Sequence, residues 1–150
     1  MRAARPRRRG TGTMPDVDSG VAVLLSSGEP ERLYTGLSVL VSTATDGRAA
    51  TALASFGALG LLLDPDLRRR VQEPEATPSL SWSGREAFAA SLVELREIAV
   101  ELAGVRLQAC SASVETMGLT ADRVTDAGLD GVLSTPRFLR EASGAALLVV

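Results

Sequence analysis

Short apolar runs that end in small or polar residues constrain this chain more than any other feature. Residues 20–27 (GVAVLLSS) are nearly continuous in apolar side chains and stop at Ser27-Gly28. Residues 49–55 repeat the pattern and stop at Phe56-Gly57. Residues 105–109 run into Cys110, residues 131–134 form a brief version, and residues 145–150 are the last. Runs of this length with little polar alternation suit strands buried on both faces, as in parallel sheets.

Between these runs the apolar spacing becomes helical. Pro30 suits a first helical turn, and Leu33, Leu37, Leu40, Val41 and Ala44 form one face before the Asp46-Gly47 stop. Residues 59–63 predict a short helix, and residues 64–82, with three prolines, predict a long excursion holding one helical turn at 66–71. Ser83 and Glu86 have capping-box spacing; Phe88, Leu92, Leu95, Ala99 and Leu102 then define a helix ended by Gly104, with Glu94, Glu97 and Glu101 on its wet side. Shorter helices are expected at 113–117, at 120–127 and from Thr135-Pro136 to Ala142, stopped by Gly118, Gly128 and Gly144. Strands alternating with helices predict an α/β fold: a three-layer α/β/α domain over residues 19–150, with a mainly parallel sheet of about five strands.

Composition narrows the chemistry. The chain has no His, which removes the usual general base and the commonest metal ligand. All sixteen basic residues are Arg, so neither Schiff-base chemistry nor a P-loop lysine is available. One Cys rules out an intrachain disulfide or a CxxC pair, and a reducing, cytoplasmic setting is the expectation. No cofactor motif is present. Asp122, Asp126 and Asp130 lack an EF-hand pattern and read as caps or solvated faces, so no metal site is expected.

Charge is unevenly distributed. Residues 1–13 carry five Arg and no acid; without them, 11 Arg face 18 acids, a net charge of −7. Residues 1–18 read as a disordered basic arm, or as an upstream extension with Met14 as the start. No apolar stretch follows Arg7-Arg8-Arg9, which argues against a twin-arginine export signal. The acidic body argues against nucleic acid as the main partner. The most apolar run, residues 49–63, is short for a membrane span and is broken by Gly57 and Gly60, so no membrane partner is expected.

In open α/β sheets ligands bind beyond the carboxyl ends of the strands. If the strands are parallel, Ser26-Ser27-Gly28, Ser55-Phe56-Gly57 and Cys110-Ser111-Ala112-Ser113 share one rim. Ser27, Gly28, Phe56, Gly57, Ser111 and Ser113 are therefore candidate binding residues around Cys110, the candidate nucleophile. Ser26-Ser27-Gly28 reads as an anion nest or as a plain turn. A thiolate at a helix start meets free N–H groups, which lowers its pKa. The residues alone leave two readings of Cys110 open: a reactive thiol, or a small buried hydrophobe.

The segment VRLQACSASVETMGL (residues 105–119) resembles a signature of the DsrE/DsrF/DsrH-like family, in which Ala-Cys is followed by a spaced Ser and then Met-Gly. LLSSGEPERLYTGLSVLVSTATDG, ATALASFGALGLLL and GLDGVLSTPRFLREASGAALLVV are similar, in order, to that family's other segments. The family is associated with sulfur relay. The resemblance implies a three-layer α/β/α domain, oligomeric, with sulfur carried as a persulfide on Cys110. Ser113, Met117 and Gly118 carry over as motif neighbours. The implied partners are sulfur-donor and acceptor proteins or small thiols, and a second copy of the chain. The alternative is a non-catalytic subunit or ligand-binding module. The sequence has Asp130-Gly131 where the family often has Gly-Gly, and it has no peroxiredoxin Pro-x-x-x-Thr-x-x-Cys pattern before Cys110.

Overall fold

In the computed structural model, which describes residues 19–150, every apolar run forms a strand. These are β1 (Val21–Leu25), β2 (Ala50–Ala54), β3 (Val105–Cys110), β4 (Val132–Leu133) and β5 (Ala146–Val149). The sheet order is β4-β3-β2-β1-β5, and all four pairings are parallel. The helices are α1 (Pro30–Thr45), α2 (Phe56–Leu63), α3 (Leu67–Gln72), α4 (Trp82–Glu101), α5 (Ser111–Thr116), α6 (Ala121–Asp126) and α7 (Thr135–Glu141). The architecture is the expected three-layer α/β/α. The basic-arm reading falls on residues outside those described.

Strand register divides the sheet into two unlike faces. Val23, Leu25, Ala52, Ala54, Leu107 and Ala109 point to a deep face, where they join buried leucines of α1, α2 and α4 in one large core. The alternate residues Ala22, Leu53, Cys110 and Leu133 point to the opposite face, where Phe138 of α7 completes a much smaller cluster. α1 packs on β1, β2 and β3 and against α4, with the Tyr34 and Phe88 rings 5.5 Å apart. The α1–β1 approach is close at Gly36, where a Cβ would lie 2.3 Å from a Leu25 methyl carbon.

Several expectations are corrected. The α4 cap is Ser81, not Ser83: the Gly84 N–H donates to Ser81 Oγ at 3.1 Å, so the helix starts at Trp82 and Ser83 lies inside its first turn. β5, expected to be buried, is an exposed edge, with Leu147 54% and Val149 60% exposed. Among the described residues it has one strand neighbour, and the single short helix on that face leaves its outward side chains uncovered. α2 begins at Phe56, not Leu59, and α5 at Ser111, not Ser113; in each case the chain turns helical as soon as it leaves the strand.

The 64–82 excursion is fastened down. Buried Thr77 donates to the Val71 carbonyl and accepts from Arg85 Nε, and Arg85 also reaches the Leu80 carbonyl. Thr120 caps α6 through the Arg123 N–H, and Gly118, Gly128 and Gly144 hold positive φ after α5, α6 and α7. The 49–63 run divides into β2 and α2. No helix among the described residues is long and apolar enough to cross a membrane.

Candidate functional site

β1, β2 and β3 end side by side, since Leu25 pairs with Ala54 and Ala54 with Ala109. The three strand-end segments therefore share one rim, because parallel strands in register deliver their carboxyl ends to the same edge.

On the β1 side the rim is closed by backbone. The Ser26 and Ser27 amides both donate to the Val150 carbonyl, at 2.7 and 3.3 Å, so neither is free to form an anion nest. Ser27 Oγ accepts from the Glu29 N–H at 3.0 Å, which is the plain-turn reading. Gly28 and Gly57 touch: a Cβ at Gly57 would lie 2.6 Å from both Cα and N of Gly28. No other residue type leaves the two backbones this close without a shift.

Phe56 sits beside that contact with φ +40°, a backbone region that bulky residues rarely adopt. Such a conformation costs about 1–3 kcal/mol and persists where its surroundings impose it. Here the Phe56 N–H donates to Ser113 Oγ at 3.1 Å, and the residue is 50% exposed. Ser113 is fully buried and links the ends of β2 and β3.

Cys110 is the last residue of β3 and is only 5% exposed, among Ala22, Leu53, Leu133 and Phe138. Burial pushes its thiol pKa up. The Ser113 amide, the Thr135 and Ser113 hydroxyls and the Ala112 amide outweigh this, so the thiol lies below its ordinary value. Thr135 Oγ1 stands 3.7 Å from Sγ. Ser113 thus faces two ways, accepting from Phe56 and donating toward sulfur. Ser111 opens α5 at half burial. Met117 is exposed beside Gly60 of α2, and Gly118 takes the left-handed turn after α5, with open space around it.

Sequence reasoning missed Thr135, which it read only as a helix start. The register explains its role: Cys110 pairs with Leu133, so the residue two further on turns back over the sulfur. It also missed Asp130, whose carboxylate accepts from the Leu107 N–H at 2.7 Å and fastens the β3–β4 side of the sheet. Among the described residues no group of three or more His, Cys, Asp or Glu is placed to hold a metal ion.

Chemically, the site offers one thiol, two amides and two hydroxyls directed at it, and no side-chain base beside it among the described residues. That set stabilises a sulfur anion. Searches with the sequence match no family model and no curated protein. Among solved structures, the fold is similar to that of a conserved protein of unknown function from Bacteroides thetaiotaomicron, with TM-score 0.55 and 11% identity, covering 90% of this chain and 99% of that one. At that identity the likeness speaks to the fold alone.

Proposed function

We propose that this protein relays sulfur as a persulfide on Cys110, in the manner of the DsrE/DsrF/DsrH-like proteins that its Cys110 segment resembles. The observation that carries the reading is the setting of Cys110 at the carboxyl end of β3, with Thr135 Oγ1 3.7 Å from its sulfur and the Ala112 and Ser113 amides and Ser113 hydroxyl directed at it, donors that lower the thiol pKa despite burial. The Cys110 thiolate attacks the outer sulfur of a donor persulfide. A new S–S bond forms to Cys110, the donor's S–S bond breaks, and the donor leaves as thiolate with that electron pair. An acceptor thiolate then takes the outer sulfur, and Cys110 leaves as the thiolate the site stabilises. The two transfers involve no net oxidation or reduction. Donor and acceptor are proteins or small thiols of the cytoplasm, and the chain works as a homo-oligomer.

Incubation of the full chain with inorganic polysulfide adds one sulfur atom to the intact mass, and Cys110→Ser abolishes the addition. Failure of polysulfide and of a persulfidated small thiol alike to label the protein sinks the reading.

Burial of Cys110 among Leu53, Leu133 and Phe138 favours a second reading, in which the thiol only packs and the chain is a non-catalytic subunit. The pH profile of alkylation by iodoacetamide separates the two. A midpoint below about 8.5 supports relay, and one at or above it supports packing.

A further inference from the structure

The buried group that the thiol chemistry leaves unused is Gln108. Its side chain points to the same thin face as Cys110, two residues earlier on β3, and it is 6% exposed. Among the described residues its amide has no hydrogen-bond partner. A buried amide offers two donors and an acceptor, and leaving such groups unmet costs about 1–3 kcal/mol.

Gln108 lines a groove of about 310 Å³ between the amino-terminal half of the sheet and α7, together with Thr51, Arg106, Phe138, Glu141 and Ala142. Thr51 and Arg106 are paired residues of β2 and β3, so hydroxyl, guanidinium and amide lie along one strand-to-strand step. Charge in the groove is not balanced internally. Glu141 is held by Arg137 at 2.8 Å, whereas Arg106 has no ion pair among the described residues. Phe138 and Ala142 supply an apolar wall. A small apolar groove with a few convergent polar groups is the usual form of a small-molecule site, and this volume is at the low end of that range. A guanidinium fork matches a carboxylate in two parallel hydrogen bonds.

We propose that this groove binds a small carboxylate carrying an adjacent amide, with Arg106 holding the carboxylate and Gln108 and Thr51 meeting the amide. Cys110 does not line the groove, so the site stands whether or not the thiol carries sulfur.

The test is a titration of the full-length protein followed through the side-chain amide NMR signals of Gln108, identified by their loss in Gln108→Met. The probes are N-acetylalanine and its neutral analogue N-acetylalanine amide. N-acetylalanine is expected to shift the Gln108 signals saturably in the millimolar range, as suits so small a ligand. The neutral analogue and the Arg106→Gln variant should each bind about tenfold more weakly or worse. Arg106 is exposed, so its replacement leaves the fold intact and keeps the test valid if Gln108→Met misfolds. Unmoved signals, equal binding of the two probes, or unchanged binding by Arg106→Gln would overturn the proposal. So would signals that move with protein concentration alone, which would assign the groove to a second copy of the chain.

Discussion

On the deep face of the sheet, α1, α2 and α4 cover the strands with a continuous apolar layer in which Leu37, Leu40, Leu59 and Leu92 have no exposed surface. On the other face, among the described residues, one seven-residue helix crosses the strands, and Phe138 is its only fully buried side chain. Among the described residues the deep face buries no titratable group, whereas the thin face carries the thiol, a Gln108 amide without a hydrogen-bond partner and an Arg106 without an ion pair. Burial of apolar area stabilises a fold at about 25 cal/mol per Å², so the face with more of it is where stability resides. Groups that must meet a ligand or a reagent belong where packing is thin and local opening is easy.

The two faces should differ most in their response at Phe138. Phe138→Ala should cost about 3–5 kcal/mol in denaturant unfolding and should also accelerate alkylation of Cys110, because the ring closes the thiol's cluster. Leu37→Ala on the deep face should cost about 2–5 kcal/mol and leave the alkylation rate of the folded protein unchanged. Equal acceleration by both would mean that the two faces open together, and the distinction would fall.

A smaller effect is expected where the faces meet at the rim. Gly57→Ala forces a methyl into the Gly28 backbone, and overpacking of this kind costs about 1–3 kcal/mol. An unchanged denaturation midpoint would show that the β1 and β2 ends separate freely. Ser113→Ala leaves the Phe56 N–H without a partner, at about 1–3 kcal/mol, and removes a hydroxyl that lowers the thiol pKa. Its alkylation midpoint should therefore move to higher pH, since the thiolate loses a donor while burial still opposes it. A midpoint that stays in place or falls would remove Ser113 from the site.

The smallest effect belongs to the uncovered edge. Leu147→Ser on exposed β5 should change the stability of the isolated chain by no more than about 0.5 kcal/mol. A loss that grows with protein concentration would show that a second copy covers the edge.

Much of the fold was legible because strand and helix leave different periods in a sequence. The apolar runs located all five strands, and the Leu33–Leu37–Leu40 spacing located the buried stripe of α1. Glycine stops were also readable, since a left-handed turn after a helix favours residues without a Cβ, as at Gly47, Gly118, Gly128 and Gly144. The cap of α4 was misplaced because Ser81 and Ser83 have the same chemistry, and only the backbone path selects between them. β5 was misread because an apolar run says that a strand can be buried, not that a neighbour is present to bury it.

The site divides along the same line. The sequence by itself determined that one thiol is available, that it stands at the carboxyl end of an apolar run, and that neither His nor Lys can assist it. It located the strand-end segments, which share a rim once the strands are parallel. Only the tertiary structure decided which face Cys110 points to, that Thr135 lies 3.7 Å from its sulfur, and that Gln108 is buried without a partner among the described residues. Those facts depend on the register of β3 against β4 and on where α7 crosses the sheet. Register and crossing are set by packing between residues far apart in the chain, and local spacing holds no record of them.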